Sequence, residues 1–188
     1  LQQATRDLNR RWYTLPSASP LIDMTLGEAD IRYLTGASLM AIRRTNGEEI
    51  DYPNAQTKLN VGDRLLLVGA SEELAALEEF AQGKVAIPGE NKACQWIKVY
   101  ADSPVLSMTI ADLDLTPQSA VQVQAMRRDG KFIRSPDQKT DFRVGDQVLL
   151  CGNLSSLNQL QQLFVSSTTP KEAGEQGAGG KGEGLRIT

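Results

Sequence analysis

The sequence predicts an α+β protein of two small units of one design in tandem, each a small β-sheet with short helices, followed by a disordered tail. Three observations predict it. The stretch from Leu39 to Gly69 recurs, with its signals in the same order, from Val123 to Gly152: Arg43 and Arg44 answer to Arg127 and Arg128, Gly47 to Gly130, Pro53 to Pro136, and Val61-Gly62-Asp63 to Val144-Gly145-Asp146. Upstream, Met24-Thr25-Leu26 matches Met108-Thr109-Ile110, and the second copy is one residue shorter at the turn after its arginines. Each copy mixes short apolar strand-like runs with short helical patterns, and a repeat of this length is one supersecondary unit used twice. At about 70 residues one core is only marginally sufficient, so a unit of this kind gains from packing on a neighbour, in the same chain or in another.

The elements follow in order. LQQATRDLNRRWY reads as a short connector helix within 1–19, closed by the helix-breaking Pro16 and Pro20. The first unit, 20–83, opens with a short strand near Leu21 to Met24. Leu26, Ala29, Ile31 and Leu34 then form an amphipathic helix with Gly36 as its stop. From Ala37 to Arg44 both alternating faces are largely apolar, which predicts a strand covered on both sides. Asn46-Gly47 signals a tight turn into a short strand through Ile50 and Tyr52. Gly62 and Asp63 make a second turn, in which glycine takes the positive φ and the carboxylate accepts backbone N–H bonds. Leu65 to Val68 is an apolar strand, and Ser71 caps a helix with Leu74, Leu77, Phe80 and Ala81 inward.

Residues 84–92, with Pro88-Gly89, read as a linker. The second unit, 93–165, repeats the plan: a strand at Trp96 to Tyr100, a short helix through Ile110 and Leu113, a strand from Val121 to Arg128, a turn at Asp129-Gly130, a strand from Val148 to Cys151, and a helix with Leu154, Leu157, Leu160, Leu163 and Phe164 inward. Gln124 and Met126 replace Met40 and Ile42, so the copies need not share one role. From 166 to 188 glycines accumulate and apolar residues nearly vanish; such a segment buries too little surface to offset its ordering entropy.

Composition limits the chemistry. With 20 basic and 23 acidic residues and a net charge of -3 there is no footprint for nucleic acid. The chain has no histidine, which removes histidine-dependent hydrolysis and His-based metal sites. Cys94 and Cys151 fit no zinc spacing and read as separate buried thiols rather than a disulfide. No apolar run approaches a membrane span and no signal sequence precedes the first unit, so the segment reads as soluble. Phosphate-loop, nucleophile-elbow and clustered metal-ligand patterns are all absent, so no enzymatic activity is expected. Asp63 and Asp146 read as structural turn residues. Arg43, Arg44, Arg127 and Arg128 close apolar strands and could fork onto a phosphate or carboxylate, or be solvated strand ends.

The order of strand, short helix, "AIRR" strand, turn, proline, "VGD", "LLLVG" strand and Ser-Glu-Glu helix resembles the C-terminal subdomain of regulators of potassium conductance, the TrkA-C or RCK_C domain. The resemblance covers Ser19 to Gly83 and, more weakly, Ala93 to Val165. It implies small α+β units with pairing surfaces, on the cytoplasmic side of the membrane, serving potassium channels, potassium uptake systems and cation/proton antiporters. No G-x-G-x-x-G follows a strand, so the family's nucleotide-binding Rossmann subdomain is missing and NAD or ATP is not an expected ligand. In part of the family paired copies bind cyclic di-AMP in the cleft between them. The positions resembling that site are Ile42, Arg43, Arg44, Asn46 and Pro53, with Met126, Arg127, Arg128 and Pro136 in the second copy, where Asp129 replaces the asparagine and its charge opposes a phosphate.

The expectation is a non-enzymatic cytoplasmic module controlling monovalent cation (K+ or Na+)/proton transport. Its partner is a membrane transporter or channel domain encoded upstream or as a separate subunit, its assembly a homodimer, and no nucleic acid or metal is involved. A structural oligomerisation element without ligand, and a free-standing cytosolic ligand-binding protein, are the alternatives.

Overall fold

The computed structural model describes residues 7–87, 90–113, 115 and 120–164. The tail expected over 166–188 and the first part of the connector helix lie outside the described residues. The rest of that connector is a strand, β1 (Asn9–Thr14), not a helix. It pairs antiparallel with β4 (Arg64–Gly69), Trp12 opposite Leu66 and Tyr13 opposite Leu65. Alternation decides this: Tyr13 reaches the core, and Arg11 on the same face meets Glu78. The first unit's sheet therefore starts well before residue 20.

Leu21 to Met24 is turn rather than strand, held by bonds such as Met24 N–H to the Leu21 carbonyl. The expected single helix is two, α1 (Leu26–Ala29) and α2 (Ile31–Thr35), divided at Asp30, whose φ of 51° is left-handed. Thr25 and Glu28 form a reciprocal capping box at α1, and Gly36, at φ 81°, ends α2. Next come β2 (Ser38–Arg43) and β3 (Glu49–Asp51), giving the sheet order β1-β4-β2-β3. A bulge between Leu39 and Ala41 breaks the simple alternation of β2. Ile42 is wholly buried, whereas Leu39, Met40 and Arg43 keep intermediate exposure, so among the described residues β2 is not enclosed on both sides. The helix α3 (Ser71–Ala81) begins at Ser71 itself, so the capping position falls on Ala70 and not on Ser71 as expected, and the Glu73 carboxylate accepts the Ala70 N–H.

The expected linker is partly a strand, β5 (Lys84–Ala86), which pairs with β6 (Ala93–Lys98) and adds an edge to the second sheet. The strands β7 (Gln122–Arg128), β8 (Lys131–Arg134) and β9 (Gln147–Gly152) complete the order β5-β6-β9-β7-β8, in which β6, β9, β7 and β8 stand where β1, β4, β2 and β3 stand in the first sheet. The β2 bulge recurs between Val123 and Ala125. The one-residue difference between copies is the hairpin loop. Asp129 and Gly130, at φ 50° and 75°, join β7 to β8 directly, whereas Arg44 N–H reaches the Glu48 carbonyl across Thr45, Asn46 and the left-handed Gly47. The helix expected at Ile110 and Leu113 is two 3-10 turns, Pro104–Ser107 and Ala111–Leu113. The last helix, α4 (Leu154–Gln161), buries Leu157, while Leu154 is exposed.

The cysteines form a disulfide, against expectation. Antiparallel pairing puts Cys94 of β6 directly opposite Cys151 of β9, a neighbourhood that a separation of 57 residues hides. The fold is layered: the first sheet, the helices α1 to α3, the second sheet, then α4 and the 3-10 turns. One face of the second sheet, through Cys94, Trp96, Ala125, Leu149 and Cys151, joins the first unit's core. Its other face builds a second core around Met126, Val148, Leu150, Leu157 and Phe164.

Candidate functional site

Consecutive arginines at the end of β2 project to opposite sides, and this separates their roles. Arg44 turns inward to Asp63, with Nη1 2.5 Å from Oδ2 and side chains only 12% and 1% exposed. The same carboxylate accepts the Asn60 N–H and so closes the Val61-Gly62 turn. Arg128 repeats this on Asp146, donating from Nε and Nη2, and the Arg143 N–H completes that turn. The hydrogen bond to Asp146 is the main reason why the Arg128 guanidinium holds its proton even more firmly than an ordinary arginine. These ion pairs tie each hairpin to its "VGD" turn, so Arg44 and Arg128 are occupied inside the fold.

Arg43 lies on the outer sheet face, its guanidinium 4.4 Å from the Trp12 ring centre and 3.5 Å from Glu49. Its counterpart Arg127 is spent between the units: Nη1 donates to the Ile22 carbonyl and Nη2 to the Asp23 carbonyl. Ile42 and Met126 are wholly buried, leaving no surface for a ligand. Asn46 is exposed, but its Oδ1 accepts the Glu48 N–H within the turn. The residues expected to share one site are therefore distributed over the core, two ion pairs, the contact between the units, a sheet face and a loop.

Pro53, of the first unit's expected residues, lines a cavity of about 490 Å³ with Asp30, Arg32, Ser38, Leu39 and Ala55. Arg32 supplies its cation. The sequence offered no signal for Arg32, a lone arginine on a short helix; only folding sets α2 beside the loop after β3. The matching cavity of the second unit, about 440 Å³ beside Pro136, has no cationic side chain among its described lining residues. A third space, of about 270 Å³, lies between the units against the disulfide and Tyr33. Among the described residues no cluster of three or more Cys, Asp or Glu side chains has metal-holding geometry, and no helix is long and apolar enough to cross a membrane.

Comparison with known proteins follows the same division into two units. An uncharacterized transporter of Bacteroides fragilis is 26% identical over 144 residues, covering 74% of this chain and 26% of the relative. The K(+)/H(+) antiporter subunit KhtT of Bacillus subtilis is 29% identical over 85 residues, covering 45% of this chain and 52% of that protein. The chain thus spans about a quarter of the length of the Bacteroides transporter. Among solved structures, an RCK_C domain dimer of S. agalactiae BusR in complex with c-di-AMP aligns at a TM-score of 0.38 and 23% identity, over 40% of this chain and 91% of that one. The GsuK RCK domain aligns at a TM-score of 0.35 and 14% identity, over 83% and 63%. With the TrkA-C domain model matching residues 10–82 and again 94–165, the chain belongs to the TrkA-C family and carries two of its domains in tandem.

Proposed function

We propose that this chain is the regulatory part of a membrane transporter for monovalent cations, and that it acts by changing how TrkA-C units pack rather than by catalysis. The observation that carries the reading is the pair of TrkA-C units packed on each other through a core to which both contribute, in a segment corresponding to about a quarter of the Bacteroides transporter. A ligand that prefers one packing over another shifts the population toward it, by no more than its difference in affinity.

The ligand site fits the cavity beside Pro53, and cyclic di-AMP is the nucleotide that the family resemblance offers. Arg32 supplies a guanidinium for a phosphate, and Leu26, Ile31 and Leu39 supply apolar surface for a base. Asp30 on the same wall offsets the single positive charge, so one cavity alone is a weak anion site. Two copies facing each other across the cavities place two guanidiniums on a two-phosphate ring.

Calorimetric titration with cyclic di-AMP, with ATP, NADH and AMP as comparisons, tests this. Saturable binding that Arg32→Ala abolishes and Arg43→Ala spares is the expected result. Binding lost with Arg43→Ala but kept with Arg32→Ala moves the site to the outer sheet face. No binding by a folded sample leaves the structural oligomerisation role as the better account.

A further inference from the structure

The two units contact each other through a face and a platform, and the repeat supplies each of these twice. The face is the side of the second sheet turned toward the first unit: Cys94, Trp96, Ala125, Leu149 and Cys151, all buried, with Arg127 at its edge. The platform is the first unit's Ser19–Met24 segment, where Arg127 donates to the Ile22 and Asp23 carbonyls. In the first sheet the positions of Trp96, Ala125, Leu149, Cys151 and Arg127 are held by Trp12, Ala41, Leu66, Val68 and Arg43, while those of Cys94 and Phe132 at the margin are held by Arg10 and Glu49. In the second unit the platform sequence Ser19-Pro20-Leu21-Ile22-Asp23-Met24 recurs as Ser103-Pro104-Val105-Leu106-Ser107-Met108.

Among the described residues of one chain one such contact is made, and no described residue repeats it on the first sheet's face or on the second unit's platform. Trp12, Leu66 and Val68 are only half-buried and belong to neither core, although their counterparts Trp96, Leu149 and Cys151 are buried. On the unused platform Pro104 and Ser107 are exposed and Leu106 is half-buried. We propose that the outer face of the first sheet binds the Ser103–Met108 platform of a second copy of this chain, repeating between molecules the contact made within each. Trp12, Leu66 and Val68 bury their apolar surface there, and Arg43 leaves Glu49 to donate to the carbonyls of Leu106 and Ser107, as Arg127 does to those of Ile22 and Asp23.

The charges at the rim fit this exchange. Arg134, which donates to the Gly27 carbonyl within the chain, is replaced on the free face by Asp51. Beside the free platform, where Ala111 N–H bonds the Gln138 carbonyl, Lys139 stands in place of Gln56. An acid on the face thus meets a base beside the platform, in the sense required for attraction. Such a contact is heterologous: it closes into a ring of copies or continues as a chain, and it does not need the ligand site proposed above.

Two variants and their mixture test it. Light scattering of the full chain over a concentration series should show mass rising with concentration. Trp12→Glu, which spoils the face, and Leu106→Glu, which spoils the platform, should each be monomeric while keeping the parent's circular dichroism. Mixed, they should associate again, because each retains the half that the other lost. As a check that leaves both surfaces apolar, Arg43→Cys and Ser107→Cys chains treated with a short bis-maleimide should cross-link to each other when mixed and not alone. A chain that stays monomeric at every concentration overturns the proposal. So does a Leu106→Glu variant that assembles like the parent, or a mixture that neither associates nor cross-links.

Discussion

Arg43 and Arg44 are adjacent and chemically identical, yet the structure assigns them very different weights. Replacing Arg44 by methionine keeps most of the side chain's length and removes its charge. Asp63, 1% exposed, then keeps only the Asn60 N–H on the carboxylate oxygen that Arg44 had shared. Removing one partner of a buried ion pair costs about 3–5 kcal/mol, because the other charge stays desolvated. The Arg44 side chain is 12% exposed, so water has some access to the pair, which favours the lower end, about 3 kcal/mol. For a chain of this size that is a fall in Tm of roughly 6–12 °C. Arg43→Met loses a pair whose partners are 43% and 48% exposed together with its contact on Trp12, and should cost less than about 1 kcal/mol. Adding Asp63→Asn to Arg44→Met should recover part of the loss, since no buried charge is then left unpaired. Urea titrations followed by circular dichroism, with the disulfide kept intact, measure the parent, the Arg44→Met, Arg43→Met and Asp63→Asn variants and the double variant. Equal costs for the two arginines, or a double variant that costs the sum of its parts, would refute the reasoning.

The remaining predictions concern other parts of the fold. Reducing the Cys94–Cys151 bond, which closes a separation of 57 residues, should lower stability by about 4 kcal/mol on the chain-entropy account, read as a fall in Tm with added reductant that a Cys94→Ser/Cys151→Ser variant does not show. Gly152→Ala should cost about 2–3 kcal/mol, because its Cβ would stand 2.3 Å from the Ala120 carbonyl oxygen and 2.6 Å from the Val121 Cα. The equivalent Gly69→Ala should cost under about 1 kcal/mol, since its nearest neighbour is the Glu73 Cβ at 3.3 Å, and unfolding curves of the two variants compare them directly. Burial, and then the Glu78 charge, raise the Tyr13 hydroxyl above its ordinary 10.0. The folded state therefore holds that proton more tightly than the unfolded state, and stability present below pH 10 declines as pH rises through and beyond it. Tyr13→Phe should flatten that alkaline decline in a pH series of melting temperatures.

Much of the fold is legible in the sequence because it depends on local chemistry. The repeat, the "VGD" turns, the glycine stops and the inward stripe of α3 each follow from residues a few positions apart. The bond patterns around Asp63 and Asp146 bear out the reading of these acids as turn residues. The candidate site was less legible. Ile42 and Arg44 carry the family motif because the fold needs them, the first in the core and the second on Asp63. Arg32 carries no motif, yet it stands beside Pro53.

By itself the sequence determined that there are two units of one design, what each unit contains, and which family they come from, since repeats and motifs are properties of residue order. Long-range pairing decided the rest. The segment at Asn9–Thr14 is a strand because β4 offers it an open edge and an apolar partner for each aromatic side chain. The cysteines are joined because register sets them opposite each other. Arg127 and Arg43, equal in sequence, differ because the second sheet packs on the first unit, whereas among the described residues no unit packs on the first sheet's outer face. Which surfaces meet is set by packing between elements far apart in the chain, and residue order alone does not carry it.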